Sequence, residues 1–363
     1  MNFEELLKHQ FLRTPKSRPE RKDFIDFFND TLDEYLDLVD QLDDIDTIIT
    51  RVRYKPRFVQ KTLRLLIEGL KECVLKYMEG NINESYITLG KTLQHEQKNF
   101  YEILKQTEIP EGVNFYRIRE KRENYMLAVD QMFHIPFELR GCVTNQRYSI
   151  NGFPSLYLAS NLYTCWEELK RPELSNFQAI RFKNNETLTV LDLTPPDLNH
   201  LFTRENYRYV LVWPIIFACS IKVKNTKDVF KPEYIIPQLL LQWVRENDYI
   251  DCIRYFSTNI EKFGSKSKGD FSNFVFPVKK MTKKGHCSAL KEIFEHTEVI
   301  SWQSVQMATG GQNFSHSTSE FDEINRKIPK LEIIKNMAYP YSYSILGKLE
   351  FYLDQLKTQT IKF

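Results

Sequence analysis

The chain has 363 residues, enough for about two domains that each bury a core. Fifty lysines and arginines nearly balance 48 aspartates and glutamates, and the resulting charge of +2 excludes a molecule that coats nucleic acid as a whole. Six cysteines stand singly, with no Cys-x-x-Cys pair, so neither a zinc site nor a disulfide framework is expected.

No apolar stretch approaches the ~20 residues needed to cross a bilayer. Glu4, Glu5 and Lys8 interrupt the apolar residues of the N-terminus, which is unlike a signal peptide. Together these features predict a soluble cytoplasmic protein with reduced, mostly buried thiols and no membrane partner.

From Met1 to about residue 107 the apolar spacing is helical. Phe24, Phe27, Phe28, Leu32, Tyr35, Leu36 and Val39 recur every three or four residues, as do Leu63, Leu66, Leu70, Val74, Tyr77 and Met78. Gly80-Asn81 reads as a helix stop, and four or five helices are expected. Charge is segregated here: Asp30 to Asp46 is acidic, whereas Arg51, Arg53, Lys55, Arg57, Lys61 and Arg64 form a basic run. Such runs are more often solvated or mutually facing helix surfaces than binding sites, so a nucleic-acid partner is not expected.

Pro110-Glu111-Gly112 is a turn and the expected boundary between a helical domain, 1–110, and a mixed α+β domain, 111–300. Asn114 to Arg119 reads as a strand with Phe115, Arg117 and Arg119 on one face. His134 has no second histidine at ligand or triad spacing. Residues 146–169, QRYSINGFPSLYLASNLYTCWEEL, then run from a polar lead-in through an Asn-Gly turn into a strand near Tyr157 and a helix carrying Glu167 and Glu168. On a helix these glutamates lie about 100° apart and cannot both face one cleft. The buried stripe Leu158, Leu162, Cys165, Trp166 and Leu169 leaves Glu168 at its edge, with Glu167 as the alternate.

Further strands are expected at 177–182 and 188–193, as a hairpin around Asn184-Asn185, and at 252–257 and 273–278. Tyr209 to Ser220 is a buried segment, and a helix begins near Pro237. Residues 264–269 read as a loop and 307–319 as a polar linker. The remainder, 301–363, is a tail ending in a helix near 343–356 that docks by Leu346, Leu349, Tyr352 and Leu356.

Arg117 in FYRIR, the block FHIPFELRGCVTNQRYSINGFPSLYLAS, Glu168, IPQLLLQWVRE, DYIDCIRYFS and NFVFP together resemble the successive blocks of the RES domain family, over about half of the chain. That family holds bacterial toxins that consume NAD through an ADP-ribosyltransferase-like fold. The resemblance implies that Glu168 stabilises the cation formed when nicotinamide leaves ribose. Arg117 and Arg147 would grip the pyrophosphate, Tyr148 and Tyr157 would hold the nicotinamide and its ribose, and Ser257 would orient a carboxylate or arginine. Arg140 could stand in for Arg147, and His134 is a weaker candidate. NAD is then substrate rather than cofactor, and no metal is required. Water, phosphate or a protein side chain is left open as acceptor. An antitoxin or other regulatory protein, or a second copy of the chain, are the partners implied, and a non-catalytic binding module is the rival reading.

Overall fold

The computed structural model describes residues 1–42, 56–94, 104, 106–121, 125–195, 204–258, 270–309, 318–334 and 336–363. The expected loop at 264–269, residues 310–317 of the polar linker, and Arg51, Arg53 and Lys55 of the basic run lie outside them. Helices α1 (Phe3–Lys8), α2 (Phe24–Asp40), α3 (Pro56–Met78) and α4 (Ile82–Gln94) come first. Strands β1 (Gln106–Ile109), β2 (Asn114–Glu120) and β3 (Ser155–Ala159) lead to helix α5 (Leu162–Glu168) and strands β4 (Phe177–Asn184) and β5 (Leu188–Leu193). Two helices, α6 (Arg204–Ser220) and α7 (Ile235–Glu246), precede β6 (Cys252–Phe256) and β7 (Ser272–Pro277). The chain finishes with α8 (Ser288–Ile293), β8 (Phe294–His296), α9 (Trp302–Thr309), α10 (Thr318–Lys327), the hairpin β9 (Leu331–Ile334) and β10 (Met337–Tyr339), α11 (Ile345–Gln355) and β11 (Gln359–Thr360).

The protein is mixed α/β and divides into two compact units. Unit 1 holds Met1–Thr107, Thr144–Ile150 and Leu191–Asp248, and unit 2 holds Glu108–Val143, Asn151–Val190 and Tyr249–Phe363. The first division falls close to the Pro110 turn. The rest differs from the expected layout: two later segments return to the helical unit, and the C-terminal residues belong to unit 2 rather than to a separate tail.

Unit 1 is built on aromatic packing. The Asp23 side chain caps α2 by accepting from the Ile25 amide at 2.7 Å, and Phe24, Phe27, Phe28, Leu32, Tyr35 and Val39 are buried as their spacing predicts. The continuously apolar 209–220 stretch is the core of α6. Its Trp213 stacks on Tyr35 at 4.3 Å and on Phe217 at 5.5 Å, while its indole N–H donates to the Leu12 carbonyl at 3.1 Å. Helix α3 ends where Gly80 adopts φ 86°, the left-handed value that lets Asn81 N–H return to the Lys76 carbonyl at 2.9 Å. Two ion pairs join α2 to α3: Lys71 with Asp33 at 2.5 Å, and Arg64 of the basic run with Asp40.

The large sheet has nine strands among the described residues, in the order β1-β5-β6-β7-β3-β2-β4-β8-β11. The expected β4–β5 hairpin is absent. β4 pairs with β2 along seven residues on one edge and with β8 on the other, leaving no edge for β5, which lies between β1 and β6. Within unit 2 alternate residues bury opposite faces. Phe115, Leu156, Leu158, Ile180, Phe274 and Phe276 build the core of one face. Tyr116, Ala159, Leu162, Tyr163, Leu349 and Leu353 build the other, where α5 and α11 pack.

Helix α11 starts on a close approach that only glycine allows. Ser344 caps it by accepting from Gly347 N–H at 2.9 Å, and a Cβ on Gly347 would fall 2.2 Å from the Tyr341 carbonyl oxygen. Gly347→Ala is therefore expected to destabilise the protein by about 1–3 kcal/mol through overpacking. Denaturant unfolding checks it, and an unchanged midpoint would mean that α11 has room to shift.

Candidate active site

β7 is buried along its whole length and lies between β3 and β6. Its ladder sets Asn273 opposite Ala159 on β3 and Tyr255 on β6. Two residues beyond Tyr255, Ser257 is fully buried, and its amide donates to the Phe271 carbonyl at 3.1 Å. From the far end of β3 the chain turns at Ser160-Asn161 into α5. Asn161 caps that helix through its side-chain oxygen, which accepts from Thr164 N–H at 2.8 Å.

These placements converge on Glu168, the last residue of α5. Its Oε1 accepts from Ser257 Oγ at 2.5 Å and from Asn273 Nδ2 at 2.7 Å. Two neutral donors on one oxygen stabilise the ionised carboxylate and fix its rotamer. Ser257 thus reaches a carboxylate, the kind of partner that its strand-end position suggests. Asn273 was missed by sequence reasoning. The available signal was a polar residue opening an otherwise apolar strand, Asn273-Phe274-Val275-Phe276.

The adjacent Glu167 is buried and committed elsewhere. Arg171 grips it with both arms, Nε to Oε2 at 3.0 Å and Nη2 to Oε1 at 2.9 Å, and the Tyr163 phenol also bonds to it. This fork follows two successive left-handed residues, Lys170 at φ 60° and Arg171 at φ 59°. Such conformations cost about 1 kcal/mol or more each for non-glycine residues and are held where surroundings over-determine them.

Arg117 sits at a seam in the sheet. β2 and β3 are in register at a single pair, Tyr116 with Ala159, whereas β3 and β7 share five. Pleat alternation sends Arg117 to the face of Phe115, opposite that of Asn273 and Tyr157. At the seam its guanidinium nevertheless donates to the Tyr157 carbonyl at 3.2 Å. Burial, then the neighbouring Arg119 charge, pull the Arg117 pKa down to about 10, which leaves it cationic at neutral pH. Its field reaches the Tyr157 phenol, and both Arg117 and Glu168 act on the buried Cys165 thiol between them in sequence. Arg117 has no hydrogen bond to Glu168, Ser257 or Asn273 in this structure.

The remaining candidates make contacts of their own. Arg147 and Tyr148 belong to unit 1, where Arg147 donates to the carbonyls of Cys219 at 3.0 Å and Ile221 at 2.8 Å and lies over the Tyr234 ring, and Tyr148 is buried. Arg140 bonds the Phe137 carbonyl at 3.2 Å. His134 is a structural acceptor: its Nδ1 faces the Ile135 carbonyl at 2.8 Å, and its Nε2 accepts the Cys287 amide at 2.8 Å. Among the described residues no three His, Cys, Asp or Glu side chains gather as a metal site would need.

Two measurements test this geometry. A double-mutant cycle of Ser257→Ala with Glu168→Ala, read by denaturant unfolding, is expected to give a coupling energy of about 1 kcal/mol or more; additive effects would mean that the bond is not made in solution. Desolvation lowers the His134 pKa from 6.5 to about 4, so the unfolded chain binds the extra proton between these values. Stability from this group is then complete above pH ~6.5 and falls as pH drops toward ~4, by on the order of 3 kcal/mol. His134→Gln, which keeps an acceptor but cannot titrate, should flatten thermal stability over that window relative to wild type.

No protein-family model matches the chain, and no solved structure matches it. A protein of Bacillus subtilis (strain 168) named "Putative toxin YopC" is 32% identical over 332 residues, covering 85% of this chain and 70% of that protein. The shared span is too long for one common motif and takes in most of both chains, so this protein belongs to the YopC family.

Proposed function

We propose that unit 2 is the catalytic unit of a toxin that destroys NAD by cleaving the bond between nicotinamide and ribose. The observation that carries this reading is the half-buried Glu168 carboxylate, held on one oxygen by Ser257 and Asn273. As the bond breaks, its electron pair leaves with nicotinamide, whose ring loses its positive charge, and cationic character moves to the ribose. A carboxylate held beside that carbon stabilises the cation more than the ground state, and only such a difference speeds the reaction. Water adding at the same carbon yields ADP-ribose and releases a proton.

Arg117 supplies a permanent cation for the pyrophosphate, and Tyr157 an aromatic face for a planar ring. The resemblance to RES domains implies the same chemistry on an ADP-ribosyltransferase-like fold, and the name of the Bacillus subtilis relative adds a toxin role. The reading rests on residues of unit 2 alone. Free cysteines throughout suit a reducing cytoplasm, where NAD is abundant to such a toxin.

Incubation of the purified protein with NAD, followed by mass analysis, tests the reading. Nicotinamide with ADP-ribose, with ADP-ribose 1''-phosphate or with a mass-shifted protein identifies water, phosphate or a side chain as acceptor. Intact NAD under all these conditions would favour a binding module instead. Glu168→Gln is expected to lower turnover on the order of 10²-fold or more with little change in substrate affinity. Glu167→Gln should leave the chemistry in place at some cost in stability, since its partner is Arg171. Arg117→Lys keeps the charge but not the fork and should raise KM for NAD; full activity would make the residue structural.

A further inference from the structure

Every apolar neighbour on the buried stripe of α11, Leu346, Leu349, Phe351 and Leu353, is what packing alone would select. Glu350 breaks that stripe and is 0% exposed. A carboxylate is buried at such cost only where other groups meet its charge and lone pairs. Its Oε2 accepts from Leu162 N–H, the first amide of α5, at 2.9 Å and from the Tyr341 hydroxyl at 3.0 Å. That hydroxyl in turn accepts the next amide, Tyr163 N–H, at 3.2 Å. Lys327 of α10 approaches the other oxygen at 3.3 Å and also donates to the Tyr116 phenol at 3.0 Å, which donates to Asp354 at 2.6 Å.

The first-turn amides of a helix have no partner within it. In α5 Asn161 supplies one acceptor, and the segment beyond residue 300 supplies the two for Leu162 and Tyr163. We propose that Glu350 is a positioning residue for Glu168: by binding the first turn of α5 it fixes the helix that ends in that carboxylate. The proposal rests on the role given to Glu168 above. Leu162 and Glu168 are separated by roughly 9 Å of helix rise, so a tilt of about 10° at the capped end moves Glu168 by roughly 1.6 Å. A displacement of about 1 Å at a reacting centre costs on the order of 10²-fold in rate.

Glu350→Leu alone leaves Lys327 buried without its partner and invites unfolding. The informative protein is Lys327→Met with Glu350→Leu, because replacing a buried ion pair by apolar residues is often neutral for stability. It is expected to stay folded with a thermal midpoint lowered only by the stranded Leu162 amide and Tyr341 hydroxyl, to keep its KM for NAD, to lose about 10²-fold in kcat, and to exchange the amide hydrogens of residues 162–165 faster while β3 and β7 stay protected. Glu350→Gln, which keeps an acceptor for Leu162, should recover part of the rate, and Tyr341→Phe should show a smaller loss of the same kind. Wild-type kcat in the stable double variant, or unchanged exchange in α5, overturns the proposal. If the wild-type protein leaves NAD intact, the proposed function falls, and the exchange of α5 alone then decides whether Glu350 holds the helix.

Discussion

Hydrogen bonding of β7 to both of its neighbours sets the position of every group around Glu168. One residue of register slip on either edge would turn Asn273 to the opposite face and carry Phe274 into its place. That slip is opposed by the apolar core, because Phe274 and Phe276 would leave it and Asn273 and Val275 would turn into it. The candidate site therefore takes its precision from hydrophobic patterning rather than from its own polar contacts. Ser257 and Asn273 then need only fine-tune a carboxylate that α5 already delivers.

Charge is handled differently in different parts of unit 2. Glu167 is paired with Arg171 within one turn, and Glu350 with Lys327 from a distant segment. Burial pushes the Glu350 carboxyl up, and Lys327 opposes that shift. Glu168 takes hydrogen bonds from two neutral side chains, Ser257 and Asn273. Arg117, at the seam where β2 and β3 diverge, uses its guanidinium on a strand carbonyl instead of on an acid.

Much of this was legible from the chain because local periodicity and burial agree. Phe115, Arg117 and Arg119 alternate as a strand should, the 209–220 run is buried as its composition requires, and the phase of α5 separates Glu168 from Glu167. The pairing of strands was not legible. Asn184-Asn185 is good turn chemistry, yet β5 is taken by β1 and β6, and nothing near those residues encodes partners so remote in sequence. The same holds for Arg147, which has the composition of a phosphate ligand and serves two carbonyls of unit 1, and for Asn273 and Glu350, whose partners lie 105 and 188 positions away. Long-range register decides these roles, and a single sequence carries little trace of it.

The chain passes between its two units five times, at 107/108, 143/144, 150/151, 190/191 and 248/249. During synthesis from the N-terminus, Glu168 emerges well before the acceptors for its helix, Tyr341 and Glu350, have been made. Until then α5 has two open amides and a short, seven-residue length that cannot hold helix by itself. The acceptors for the first turn of α5 are thus among the last residues to be synthesised, although the helix itself is made before the middle of the chain.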